Sequence, residues 1–148
     1  MTVIDRSIVV DVPIDVATQY GEDPAIRTAW YAGMQAYHAG DDYPSVGTKS
    51  NWVMKSAGVT LEAEEEIVSY QQGEHLTFTF DAKMIKGEMT WRYTAQGDTT
   101  HVAVHVDYEM SGGIIGQAIN ALVVEKALIS DLEKSLNNFK TYVESNAG

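Results

Sequence analysis

The chain has 148 residues, 45% of them hydrophobic, a formal net charge of −11 and no cysteine. This length suits a single domain over residues 1–148 that buries about 70% of its extended-chain surface, and the lack of thiols excludes disulfides, cysteine nucleophiles and thiolate metal sites. The acidic balance opposes binding to nucleic acid or to an anionic membrane surface, where Lys and Arg supply the affinity.

Met1-Thr2-Val3-Ile4-Asp5-Arg6 has no basic region leading into a long apolar stretch, and no later run is long enough to span a bilayer. The expectation is a cytoplasmic protein with no membrane insertion. Ile4 to Val12 reads as a strand, and Pro13 ends it just before a short helix over Asp15 to Tyr20. Asp23-Pro24 marks a second helical start. The stretch from Trp30 to Tyr43, with Tyr31, Tyr37 and His38, reads as helix ends and a covering loop. Strands follow near 46–55, 59–69, 75–81, 86–94 and 99–110. From Gly113 to Ser145 the sequence reads as one long amphipathic helix: Ala118, Leu122, Glu125, Ile129, Leu132, Leu136, Phe139 and Val143 recur at steps of three and four, which stacks them on one side. That seam is apolar except at Glu125, which with Lys126 forms a polar break that could face a pocket mouth.

Pairing the strands tests their registers, because each face must receive compatible side chains. A connection through Lys55 to Gly58 sets Trp52 opposite Leu61 and Met54 opposite Val59. A turn through Ala95 to Asp98 sets Trp91 opposite Val102 and Met89 opposite Val104. Both hairpins then separate a charged convex face from an apolar concave one carrying Trp52, Met54, Leu61, Phe78, Met89, Trp91, Val104 and Tyr108. A long helix needs such a face on which to bury its stripe. The fold expected is α+β, a curved antiparallel sheet gripping a C-terminal helix around a pocket.

Several stretches carry a family likeness: Val10 to Val16, Asp23-Pro24 followed by Trp30, Val46-Gly47-Thr48 opening a strand, Gly58 to Tyr70, and Gly112-Gly113-Ile114-Ile115-Gly116 before the last helix. Over nearly its whole length the chain resembles the START-like SRPBCC superfamily, and within it the polyketide cyclase/dehydrase and lipid-transport group. The resemblance implies a helix-grip (Bet v 1-like) fold with a deep cavity for an apolar or aromatic ligand. It supplies no universal catalytic set, since members include carriers, cyclases, hormone receptors and chaperone activators.

Among chemical candidates, alternation sends Glu62, Glu64 and Glu66 to the convex face as solvated or Lys49-paired groups. Glu65 falls in phase with Leu61 and Ile67 and points inward, where desolvation would suit it to acid/base work. Tyr93 and Tyr108 are the other groups that could move a proton. Trp52, Met54, Leu61, Phe78, Met89, Trp91, Val104, Leu122 and Glu125 are the expected ligand-binding set. Arg6, in phase with Ile4 and Ile8, reaches water or pairs with a carboxylate. No metal is expected, because His101 and His105 share a strand face but stand about 13 Å apart, while His75 lies in a turn and His38 in the aromatic segment. Gly112 to Gly116 lacks the Lys-Ser/Thr ending of a phosphate loop, and no serine sits in a nucleophile elbow; no cofactor is expected. Three functions fit: a carrier or sensor of a small hydrophobic ligand, a cyclase or dehydratase folding a polyketide-like chain, and an interaction module of the chaperone-activator kind.

Overall fold

A computed structural model describes residues 2–56, 58–110 and 121–146. Seven strands form one sheet in the order β1-β7-β6-β5-β4-β3-β2, every neighbouring pair antiparallel. They are β1 (Thr2–Val10), β2 (Met34–His38), β3 (Lys49–Ser56), β4 (Val59–Gln71), β5 (His75–Asp81), β6 (Ile85–Gln96) and β7 (Thr99–Met110). Helix α1 (Ile14–Gly21) begins directly after Pro13, whose carbonyl accepts from the amides of Val16 and Ala17. A 3-10 turn (Pro24–Ile26) is capped by the Asp23 carboxylate, which accepts from the Ala25 amide at 2.9 Å. It leads into the single helical turn α2 (Arg27–Trp30), and the chain closes with α3 (Ala121–Asn146).

Both predicted hairpins form with a tighter turn than expected. Ser56 pairs with Val59 and Gln96 with Thr99, so the connections are two residues long and turn at Gly58 (φ 77°) and Gly97 (φ 65°), a conformation glycine adopts without steric cost. Trp52 therefore faces Ala63 and Met54 faces Leu61, while Trp91 faces Val104 and Met89 faces Val106. Each register lies two residues from the predicted one. An even offset keeps every side chain on its expected face, and the concave face carries the buried residues Trp52, Met54, Phe78, Met89, Trp91, Val104 and Tyr108. On the other face Lys49 lies 4.0 Å from Glu66.

The edge strand β2 is a correction to the covering loop expected there. It is five residues long and meets β3 with a register shift between Met34 and Ala36. Met34 to His38 thereby join the sheet, with Tyr37 set opposite Trp52, while Trp30 and Tyr31 form the helix end expected there.

Helix α3 spans about 39 Å at 1.5 Å per residue. Its fully buried side chains among the described residues begin at Leu132: Leu132, Ser135, Leu136, Phe139 and Val143. Phe139, 1% exposed, stacks edge-on against Trp30 at 4.9 Å, and Trp30 in turn meets Trp91 at 5.5 Å. Leu122 and Val123 are each 52% exposed, so the predicted seam is buried only from Leu132 onward. The Arg6 guanidinium reaches Glu133 at 3.1 Å, fastening β1 to α3. Ala118 and the stretch Gly112 to Gly116 lie outside the described residues.

Candidate functional site

A cavity lies between the sheet and α3. Its wall includes Tyr31, Trp52, Met54, Leu61, Phe80, Met89, Val106, Leu128 and Leu132, and its volume is about 50 Å³. The lining is apolar apart from Ser56 and Asp131, which bond to one another at 2.6 Å and join the end of β3 to α3. Met89 braces the wall through its sulfur, which receives the indole N–H of Trp91 at 3.2 Å and the hydroxyl of Tyr31 at 3.7 Å.

Of the predicted ligand set, the structure places Trp52, Met54, Leu61 and Met89 on this wall. Phe78, Trp91 and Val104 are buried in the core without lining this cavity; Trp91 packs instead among Trp30 and Tyr31. Leu122 is half exposed, and Glu125 lies close enough to Tyr108 to act on its hydroxyl. Tyr31, Phe80, Leu128 and Asp131 are not in the set expected from sequence: Tyr31 follows a helix of four residues whose facing no periodicity reveals, and Leu128 lies one position off the idealised seam.

Beside this wall a polar cluster is buried. Glu65 is 3% exposed and Arg27 is 6% exposed. The two make no direct ion pair: Tyr37 connects them, donating its hydroxyl to Glu65 Oε2 at 2.9 Å while its ring lies 4.7 Å beneath the Arg27 guanidinium. Arg27 donates from Nη2 to the Tyr43 hydroxyl at 2.8 Å and to the Gly21 carbonyl at 3.4 Å. Glu65 Oε1 and Arg27 Nε are both buried without hydrogen-bond partners. The carboxyl of Glu65 is raised above its usual range by burial, against the opposing influence of Arg27, Tyr37 and the nearby indole of Trp52. Burial also weighs against the charge on Arg27, but Tyr43, Tyr37 and Glu65 more than restore it, and the guanidinium stays protonated. Tyr37 is held above its ordinary range by desolvation, which Arg27 partly offsets.

The inward phase of Glu65 is as its strand alternation predicts. Tyr93 belongs to the far side of the Arg27 network: its hydroxyl occupies the space a Cβ on Gly21 would need, and the charges that act on it are Arg27 and Glu22 rather than Glu65. Glu22, half buried, accepts from Tyr70 at 3.1 Å and is likewise raised by burial. Tyr108 shares a cross-strand row with Glu65 through Gly87 and Phe80, but three strand spacings separate them, about 14 Å along the sheet. The structure thus joins Glu65 to Tyr37 and Arg27, neither of which was a sequence candidate. A lone Arg among aromatics was the available signal, and a weak one. No cluster of metal-ligating side chains occurs among the described residues.

A curved antiparallel sheet closed over a long C-terminal helix, with an apolar cavity between them, defines a START-like helix-grip domain. The chain belongs to the polyketide cyclase/dehydrase and lipid-transport family, whose model matches residues 1–144. Among solved structures, it superposes on the Zhui aromatase/cyclase from a Streptomyces species with a TM-score of 0.87 at 11% identity, covering 99% of this chain and 96% of that one. A Thermus thermophilus protein gives 0.80 at 18% identity over 99% and 100% of the two chains. A START superfamily protein from Mycobacterium smegmatis gives 0.78 at 15% identity over 97% of each. At these identities the likeness establishes the fold. No curated protein matches the chain significantly in sequence.

Proposed function

We propose that this protein binds a small hydrophobic molecule, aromatic, polyketide-like or lipid-like, between the sheet and α3, as a carrier or sensor. The observation that supports this most is the apolar wall built by Trp52, Met54, Met89, Leu128 and Leu132 on opposite sides of one cavity. Its volume of about 50 Å³ is below what an organic ligand needs, typically about 300–1,000 Å³. Enlargement has an obvious site, since no described side chain of α3 before Leu132 is fully buried, Val124, Leu128 and Ile129 being only partly so. An apolar fluorescent probe titrated into the protein should quench Trp emission. Trp52→Ala should weaken probe affinity by about tenfold, in keeping with the loss of one aromatic contact surface, while Trp91→Ala should change it less. Equal affinities in all three proteins would remove the ligand from this wall.

A second reading, a cyclase or dehydratase, is favoured by one observation: two titratable groups, Glu65 and Tyr37, converge at 2.9 Å beside a fixed cation. Glu65 would then shuttle a proton on a poly-β-ketone chain. In that case Glu65→Gln abolishes turnover while ligand affinity stays within about an order of magnitude, because the amide cannot cycle a proton. Turnover unchanged in the amide variant would leave the carrier reading.

A further inference from the structure

Among the described residues, the wall of the cavity carries one charged side chain, Asp131. It sits on α3 immediately before Leu132, where full burial of the helix begins, and lines the cavity together with Tyr31, Trp52, Phe80 and Leu128. The residue is half-buried, so it borders both the cavity and solvent. The Ser56 hydroxyl donates to its Oδ2 at 2.6 Å. One hydroxyl uses one of about four lone-pair positions on a carboxylate, and among the described residues no cation pairs with Asp131 directly. Lys134, one turn further along α3, acts on the carboxyl from beyond ion-pair distance. Burial raises the Asp131 carboxyl above its ordinary range, and Ser56 and Lys134 oppose that rise. The cavity thus joins an apolar and aromatic wall to an anion at its rim that lacks a counter-ion.

We infer that the ligand is a cationic amphiphile, an aliphatic or aromatic body bearing an ammonium group, whose body lies on the apolar wall and whose nitrogen is held at the rim by Asp131. This rests on the ligand-binding reading above and adds the charge of the ligand. At the rim the ammonium keeps part of its hydration, so the pair avoids the penalty that a fully buried ion pair incurs, and its N–H groups form charge-assisted bonds to the carboxylate. Tyr31, on the same wall, lies close enough for the charge of Asp131 to act on its hydroxyl, and aromatic rings attract cations on their own account. The rest of the molecule favours the same sign: 21 acidic residues against 10 Lys and Arg set up a field that draws cations in and repels anions. A carboxylate ligand would meet Asp131 with like charge. A neutral alcohol would bind through its body and gain a weaker donor at the same oxygen.

The test compares 2-naphthylmethylamine, which is protonated at neutral pH, with 2-naphthylmethanol and 2-naphthoate, three probes of one ring system that differ in charge. Wild type should bind the ammonium about fivefold or more tightly than the alcohol, as one charge-assisted contact allows, and the carboxylate most weakly. Asp131→Asn keeps the size of the side chain and an acceptor for Ser56; it should bring the ammonium and alcohol affinities together while leaving the alcohol nearly as in wild type. Glu64→Gln removes the same unit of charge from an exposed position on the outer face of the sheet and should preserve the preference. Lys134→Gln, which withdraws the competing cation, should widen it. Equal affinity for ammonium and alcohol in wild type overturns the cationic subsite and leaves the apolar pocket standing. A preference that survives Asp131→Asn, or that falls equally in Glu64→Gln, also overturns it, by making overall charge the source. Failure of all three probes to bind overturns both the subsite and the pocket.

Discussion

Replacing Arg27 by Met is expected to cost about 3–5 kcal/mol of stability at neutral pH, the range seen when one member of a buried charged group is removed. Arg27 is 6% exposed and is the cation whose field acts on Glu65, Glu22, Tyr37 and Tyr43. Without it, two carboxyls already raised by burial lose their counter-charge and rise further. A carboxyl with a folded-state pKa above its unfolded value favours the folded state most below the unfolded pKa, here near the ordinary Glu value of 4.5. That contribution is lost as pH climbs through the raised folded pKa. The cost of Arg27→Met should therefore be small in acid and grow across the window above 4.5. Denaturant melts at a series of pH values would measure this, and a cost independent of pH would show that Arg27 acts through packing alone.

Phe139→Ala should be comparably severe, about 3–5 kcal/mol, as large-to-small changes at buried aromatics are. The ring is 1% exposed and inserts beside Trp30, which also touches Tyr31 and Trp91. The loss thus reaches from α3 through α2 to β6. Glu125→Ala, in the half-exposed front of the same helix, should leave the melting midpoint nearly unchanged. A reversed order would mean that the helix is held by its front half.

The faces of the sheet were legible because alternation depends only on parity, and an error of two residues in each hairpin leaves parity intact. The tight turns were not, since Gly58 and Gly97 each allowed a longer connection as readily as a two-residue one. Strand β2 escaped because five residues interrupted by a register shift carry too little periodicity to separate strand from loop. The same misreading hid Tyr37, and with it the reason Glu65 is tied to Arg27. Arg27 itself sits on a helix of four residues, too short for any stripe to announce which way its side chain turns. Glu65 was found because it broke the apolar phase of its strand, a departure from pattern that a single residue can signal.

The division of α3 at Leu132 has a thermodynamic consequence. Below that point the helix is bound to the rest of the protein by Leu132, Leu136, Phe139 and Val143, so its amides share the cooperative free energy of the whole domain. Before it the helix has no fully buried described side chain and is held by the partly buried Val124, Leu128 and Ile129 and by the Ser56–Asp131 bond, a lighter hold on a segment whose own hydrogen bonds are marginal in isolation. One continuous helix therefore contains two levels of stability, and the lower one lies over the cavity. The protein can loosen its cover by local fluctuation without drawing on the free energy that keeps the fold, and selection could tune how readily the cover opens without changing how stably the domain folds.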